Sequence, residues 1–185
     1  NKKVQKGLKT LRNHKQENKT RTLLSEVINQ LANLYNQGQL ADALKLAQSL
    51  TKQYPQEFVI WNILGASAIQ IGMSDQAIIA FKKVIFLKAD NASAHYNLGN
   101  VLKDQGKLDE AVEAYNKATS LKPDYAEAYN NMGDALKDLN KLDEALRAYN
   151  KSIVIKPDYA EAYNNIGLVL KDQGQLEKAI NSFQK

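Results

Sequence analysis

The sequence of 185 residues contains no cysteine and only three prolines. The absence of cysteine excludes disulfide bonds, thiolate metal sites and a cysteine nucleophile, and it fits a reducing compartment. No stretch approaches the roughly 20 apolar residues that a membrane-spanning helix needs, and the first 22 residues lack the apolar core of a secretory signal. We therefore expect a cytoplasmic protein without a membrane span, while targeting stays open because the chain begins at Asn1.

Positive charge is concentrated at one end of the chain. Residues 1–22 carry eight cations against Glu17 alone, a net charge of +7, whereas residues 23–185 sum to −2. In this basic N-terminal arm, residues 1–23, Val4, Leu8 and Leu11 recur at helical spacing. The arm is therefore either a short helix that caps the following fold or a strip attracted to nucleic acid or anionic lipid. No aromatic residue is interleaved with its cations, so we expect no nucleic-acid partner.

An internal repeat organises the rest of the chain. Residues 124–136 read DYAEAYNNMGDAL and residues 158–170 read DYAEAYNNIGLVL, an offset of 34 residues. The same offset relates Gly65, Gly99, Gly133 and Gly167. The pattern gives five units, counted here from position 1 of each: 24–57, 58–91, 92–125, 126–159 and 160–185. The first unit departs most from the pattern and the fifth is cut short.

Each unit contains two runs of apolar residues at steps of three and four, which predicts two amphipathic helices. Position 15 separates the runs and holds Gly38, Gly72, Gly106, Asn140 and Gly174, the residue types that tolerate a left-handed helix end. All three prolines stand at position 32, where they stop the second helix. The pairs Asp124 with Glu127 and Asp158 with Glu161 predict a capping box at the next first helix.

At this point the chain resembles the tetratricopeptide repeat family. The family's aromatic, Leu, Gly, Ala, aromatic and Pro at positions 4, 7, 8, 20, 24 and 32 correspond, in the third unit, to His95, Leu98, Gly99, Ala111, Tyr115 and Pro123. The resemblance implies an all-α fold, a right-handed superhelical solenoid of helix-turn-helix repeats. Small residues at positions 8 and 20 would let the two helices of a unit approach, while large ones at 4, 7, 11 and 24 would fill the space between units.

The resemblance also implies that the first helices line a concave groove, with positions 2, 5, 6, 9, 12 and 13 facing into it. Asparagine, a poor residue in the middle of a helix, recurs at positions 5 and 6. The predicted peptide-binding residues are therefore Asn29, Asn62, Tyr96, Asn97, Asn100, Lys103, Asn130, Asn131, Asp134, Lys137, Asn164, Asn165 and Lys171.

A row of primary amides offers donors and acceptors to the peptide groups of an extended ligand, whatever its side chains. Helices about 8–10 Å apart against a strand rising about 3.3 Å per residue give one amide for roughly every three ligand residues. Similar asparagine ladders line O-linked N-acetylglucosamine transferases, which these repeats also resemble. The simpler alternative is that the asparagines belong to a duplicated consensus and are only solvated. Glu127 and Glu161 at position 2 disfavour a ligand that ends in a carboxylate, and the Lys and Asp at positions 12 and 13 suggest a neutral or zwitterionic segment.

The residues offer no catalytic, metal or cofactor site. His14 and His95 lie far apart in sequence, and His95 occupies the core position that Trp61 and Tyr129 hold in other units. The first interpretation is a protein–protein interaction scaffold that binds an extended peptide. The alternative is the substrate-recruiting region of a larger enzyme, such as a glycosyltransferase or sulfotransferase, with its catalytic domain beyond Lys185. The apolar face of the last helix, which includes Ala179, Ile180 and Phe183, predicts further repeats or self-association.

Overall fold

The computed structural model describes Gln5 and residues 22–185, and its residues 22–185 fold into helices joined by short turns, with no strand in that range. The described part of helix α1 covers residues 22–36. The others are α2 (Leu40–Gln53), α3 (Phe58–Gln70), α4 (Ser74–Leu87), α5 (Ala92–Asp104), α6 (Leu108–Leu121), α7 (Ala126–Asp138), α8 (Leu142–Ile155), α9 (Ala160–Asp172) and α10 (Leu176–Phe183). The predicted all-α solenoid with two helices per unit is confirmed. The proposed capping role of the basic arm falls almost entirely on residues outside those described.

A glycine and an aromatic ring hold the two helices of each unit together. A Cβ atom on Gly133 of α7 would lie 2.5 Å from the ring of Tyr149 on α8. The same contact relates positions 8 and 24 in the second, third and fifth units. Because only glycine leaves room for the ring, position 8 sets how closely the helices approach. The ring at position 24 thus packs against position 8 of its own unit, and its role between units stays a prediction.

The turn inside each unit depends on a left-handed residue. Gly38, Gly72, Gly106 and Gly174 have φ between 72° and 77°, and Asn140 has φ of 58°. The amide of the following residue then bonds back to the first helix, as Lys141 N does to Leu136 O at 2.8 Å. The predicted reason for glycine or asparagine at position 15 is confirmed.

The predicted capping boxes are wrong. Helix α7 begins after Tyr125 and α9 after Tyr159, so the aspartates stand one residue too early to cap the helix with their side chains. Tyr125 and Tyr159, which precede these helices, make no side-chain cap. The backbone carbonyls of Asp124 and Asp158 instead accept from the amides of Ala126 and Ala160. Among α2 to α10, only α5 has a capping side chain, where Asn91 Oδ1 accepts from Ala94 N at 3.1 Å.

Successive units stack so that the helices pack in chain order from α2 to α10. The first helices α3, α5, α7 and α9 also contact one another from unit to unit, whereas the second helices of the described units do not. A stack whose first helices lie closer together than its second helices curves toward the first helices. We call this inner layer, α1, α3, α5, α7 and α9, the groove wall.

Equivalent repeat positions are buried in the second, third and fourth units. The rings of Phe81, Tyr115 and Tyr149 are fully buried, and His95 is 8% exposed as expected for a core histidine. Burial lowers the pKa of His95, and its Nε2 lies 3.3 Å from the carbonyl of Ala89. On α10, Ala179 is buried against α9, while Ile180 and Phe183 remain about half exposed.

Candidate peptide-binding groove

All the predicted binding residues lie on the helices of the groove wall. Asn29 lies on α1 and Asn62 on α3. The rest are Tyr96, Asn97, Asn100 and Lys103 on α5, Asn130, Asn131, Asp134 and Lys137 on α7, and Asn164, Asn165 and Lys171 on α9. Their environments differ strongly, because several amides are already bonded to neighbouring helices.

Asp134 joins three helices. Its Oδ1 accepts from the Tyr149 hydroxyl of α8 at 2.8 Å and from Asn165 Nδ2 of α9 at 3.1 Å. Its Oδ2 lies 3.6 Å from Lys103 Nζ on α5. The carboxylate therefore links three consecutive units. A carboxylate can only accept, so the orientation of the Asn165 amide is fixed by chemistry.

Asn100 makes the equivalent connection one unit earlier. Its Oδ1 accepts from the Tyr115 hydroxyl at 2.7 Å and from Asn131 Nδ2 at 2.9 Å. Asn131 Nδ2 also donates to the Tyr96 hydroxyl at 3.2 Å. Together with the bonds at Asp134, these contacts form what we call the tyrosine–amide network.

The network depends on a correlation between positions 9 and 24 that our sequence analysis missed. Units with tyrosine at position 24 have a hydrogen-bond acceptor at position 9, which is Asn100 opposite Tyr115 and Asp134 opposite Tyr149. The second unit pairs Phe81 with Ala66, and the fifth pairs Phe183 with Leu168. A hydroxyl buried without a partner is costly, so the two positions change together. Comparing the units with one another reveals this signal.

The tyrosines of the network are hydrogen-bond donors, as any tyrosine is at neutral pH, and burial extends this to more alkaline pH. Burial and the neighbouring Tyr96 and Asp104 raise the pKa of Tyr115. Burial and Asp134 raise the pKa of Tyr149. Both hydroxyls therefore stay protonated at neutral and at more alkaline pH.

Two of the predicted asparagines, Asn130 and Asn165, are almost completely buried. Asn130 is completely buried, with Nδ2 bonded to Glu161 Oε1 at 3.1 Å and Oδ1 accepting from Asn165 Nδ2 at 3.3 Å. Asn165 is only 8% exposed. These amides bind the wall helices together, which gives a structural reason for asparagine in the middle of a helix. Asn62 has a buried Oδ1 with no partner among the described residues.

Other predicted residues stay uncommitted. Asn97 and Lys137 are half-buried. Asn29, Asn164 and Lys171 are exposed. Within residues 22–185, none of these five side chains has a hydrogen bond or an ion pair. They are the members of the predicted set that are free to meet a ligand.

An aromatic cluster lies beside the network. The rings of Tyr96 and Tyr125 have centroids 4.8 Å apart, and Lys122 Nζ lies 4.5 Å from the centroid of Tyr125. One unit further, Lys156 Nζ lies 4.6 Å from the centroid of Tyr159. Burial, then Glu161 and Glu127, raise the pKa of Tyr159 to about 12. The rings of this cluster thus lie within the influence of both position-2 glutamates and already attract ammonium groups.

The described residues form neither a metal site nor a membrane span. Among them, no group of three or more His, Asp or Glu is placed to hold a metal ion. No helix in the described part is long and apolar enough to cross a membrane.

Known structures share this architecture. A crystal structure of MamA matches with a TM-score of 0.79 at 29% identity over 82% of this chain and 89% of that one. MamA 41-end from Desulfovibrio magneticus RS-1 matches with a TM-score of 0.81 at 19% identity, covering 85% and 89%. YrrB, described as a TPR protein with an unusual peptide-binding site, matches with a TM-score of 0.74 at 24% identity, covering 84% and 80%. The last two likenesses concern the fold alone.

Family models match most of the repeat region. A comparison with curated protein sequences gives no significant match. The model described as TPR repeat matches residues 69–106, 99–139 and 133–174, and the model described as tetratricopeptide repeat matches residues 30–57. The matches cover more than half of the chain. The chain therefore belongs to the tetratricopeptide repeat family.

Proposed function

We propose that this chain is a protein–protein interaction scaffold that binds an extended peptide segment along its groove wall. The observation that carries the proposal is the set of uncommitted polar side chains, Asn97, Lys137, Asn164 and Lys171, on three successive first helices. They stand on a wall whose helices α5, α7 and α9 are already joined by side-chain hydrogen bonds between successive units. A wall ordered before binding loses little entropy when a ligand docks.

The tyrosine–amide network divides the predicted asparagine ladder into side chains that are already hydrogen-bonded and side chains that are free. Asn131 and Asn165 each use both Nδ2 hydrogens within the protein. Their Oδ1 atoms have no donor among the described residues. We infer that these two asparagines order the wall and present acceptors, while Asn97 and Asn164 keep complete amides for a peptide backbone.

A shared fold adds modest support. YrrB carries a peptide-binding site on a similar helical stack, which indicates that such a stack can hold a peptide. No contact or residue in the described part of the chain favours the alternative of substrate recruitment for a glycosyltransferase or sulfotransferase.

The ladder is tested with residues that do not hold the wall together. Asn97→Ala with Asn164→Ala removes two amides that bond to nothing in the described protein. Each neutral hydrogen bond contributes about 0.5–1.5 kcal/mol, so the double variant should bind peptides of many sequences roughly tenfold more weakly on an array. Asn116→Ala with Asn181→Ala, at exposed asparagines of α6 and α10, is the matched control and should bind as the unaltered chain does. Equal array signals for the two double variants would contradict the ladder.

A further inference from the structure

We propose that the groove over α5, α7 and α9 selects peptide segments carrying arginine or lysine, because the tyrosine–amide network has used its donors internally and leaves acceptors beside unpaired glutamates and tyrosine rings. This inference rests on the proposed peptide-binding function and names the chemical class of its ligand.

The tyrosine–amide network uses its own hydrogen-bond donors. The hydroxyls of Tyr115 and Tyr149 donate to Asn100 and Asp134. Both Nδ2 hydrogens of Asn131 and both of Asn165 are likewise used. The network leaves side-chain carbonyl oxygens without a donor. One of them is Oδ1 of Asn165, which has no donor in the described part of the chain, although this side chain is only 8% exposed. A ligand that satisfies these atoms must bring donors. Guanidinium brings five and ammonium three, and neither brings an acceptor.

The helices of the groove wall carry more acidic than basic side chains. Helices α5, α7 and α9 carry six carboxylates against three lysines, a net charge of −3, although the whole chain has a net charge of +5. One of the lysines, Lys103, is already paired with Asp134 at 3.6 Å. The wall is therefore acidic within residues 23–185, which sum to −2, and the positive charge of the chain lies in the basic N-terminal arm. The acidic charge of the wall favours a cationic ligand over the neutral or zwitterionic segment that the alternating Lys and Asp suggested.

Two glutamates stand at position 2 of the fourth and fifth units. Glu127 and Glu161 are exposed, and no Lys or Arg within residues 22–185 lies within ion-pair distance of either carboxylate. Glu161 is oriented by the Asn130 amide, which donates to its Oε1 at 3.1 Å. One glutamate is therefore held in place and both lack a cationic partner, as expected where a ligand provides the cation.

The aromatic cluster lies next to these glutamates. Tyr125 and Tyr159 already hold the ammonium groups of Lys122 and Lys156 at 4.5 and 4.6 Å from their ring centroids. Both lysines are exposed, and neither has a carboxylate partner among the described residues. A ligand guanidinium can therefore replace them over rings that favour cations, and it stacks better on an aromatic face than an ammonium does.

Three labelled peptides of one length test the inference by fluorescence anisotropy with the full chain. They consist of four repeats of Ser-Gly-Arg, Ser-Gly-Gln or Ser-Gly-Glu, a spacing that follows the one-in-three match between ladder and strand. The net charge of the protein favours the Glu peptide, whereas the groove wall favours the Arg peptide. We expect the Arg peptide to bind best and its advantage to shrink with added salt.

Two matched double variants locate the preference. Glu127→Gln with Glu161→Gln should reduce affinity for the Arg peptide roughly three- to tenfold and leave the Gln peptide unchanged, since partly exposed charge pairs contribute modestly. Glu113→Gln with Glu144→Gln, at exposed glutamates of α6 and α8, removes the same charge outside the wall and should change neither.

The outcomes separate this inference from the function on which it rests. If the Arg and Gln peptides bind equally, and Asn97→Ala with Asn164→Ala weakens both, the groove binds peptides but the preference for cations is wrong. If the control double variant weakens the Arg peptide as much as Glu127→Gln with Glu161→Gln does, the attraction is general and the selective site is refuted. Failure of all three peptides to bind counts against the peptide groove itself.

Discussion

Replacing Tyr149 by Phe removes one hydroxyl from the interior of the fourth unit and leaves its packing intact. Phe81 already occupies the equivalent position, fully buried against Gly65, so the ring of a phenylalanine fits there. The lost interaction is the 2.8 Å bond to the Asp134 carboxylate. Hydrogen bonds to charged groups contribute about 1.5–3 kcal/mol, and we expect Tyr149→Phe to lower the free energy of unfolding by about 2 kcal/mol.

The third unit provides an internal comparison. Tyr115 bonds at 2.7 Å to the neutral amide of Asn100. A neutral hydrogen bond contributes about 1 kcal/mol, so Tyr115→Phe should lower the free energy of unfolding by about half as much as Tyr149→Phe. In a chain of this length, 1 kcal/mol corresponds to a shift of about 2–4 °C in melting temperature.

Urea denaturation followed by helical circular dichroism measures both variants against the unaltered chain. Each variant should keep the native helix content, because the ring still packs on its glycine. If Tyr149→Phe unfolds at the same urea concentration as the unaltered chain, the bond to Asp134 contributes nothing and the network does not order the wall.

Substitutions at three further positions test the rest of the fold. Gly133→Leu should lower the free energy of unfolding by more than 3 kcal/mol, since even a Cβ would lie 2.5 Å from the Tyr149 ring, and a normal melting curve would show the register to be wrong. Asn140→Ala should lower it by about 1 kcal/mol, because alanine is strained at φ of 58°, whereas Asn140→Gly should not. Burial lowers the pKa of His95, so the unfolded chain binds the extra proton and stability falls as the pH drops below about 6.5. His95→Tyr should flatten the urea midpoint between about pH 7.5 and 5.5, and an unchanged pH dependence would assign the effect to other groups.

The sequence predicts the helices and turns well because each is marked by local chemistry. Glycine or asparagine at position 15 predicts the left-handed turn, and the apolar period predicts the helix pairs. The start of each first helix could not be placed as well, since Asp124 and Tyr125 differ by one residue and the capping box depends on that difference.

The role of the asparagines depends on distances that sequence spacing does not contain. Asn131 and Asn165 reach position 9 of the preceding unit, which requires knowledge of how the helices stack. The hydrogen bond of the tyrosine hydroxyl at position 24 lies within one unit, and the sequence marks it because tyrosine there accompanies an acceptor at position 9. The contrast of Tyr149 and Asp134 with Phe81 and Ala66 is enough to predict that bond from the residues alone.

Site-specific photo-crosslinking tests the central claim, that a peptide lies along the groove wall, most directly. A benzoylphenylalanine is placed at Lys171 on α9, or at Lys151, an exposed residue of α8 outside the wall. The protein is then irradiated with the labelled Ser-Gly-Arg and Ser-Gly-Gln peptides. We predict that cross-links form from position 171 and that excess unlabelled peptide suppresses them. Cross-links from position 151 alone would contradict the account, because they would place the peptide on the outer layer of second helices.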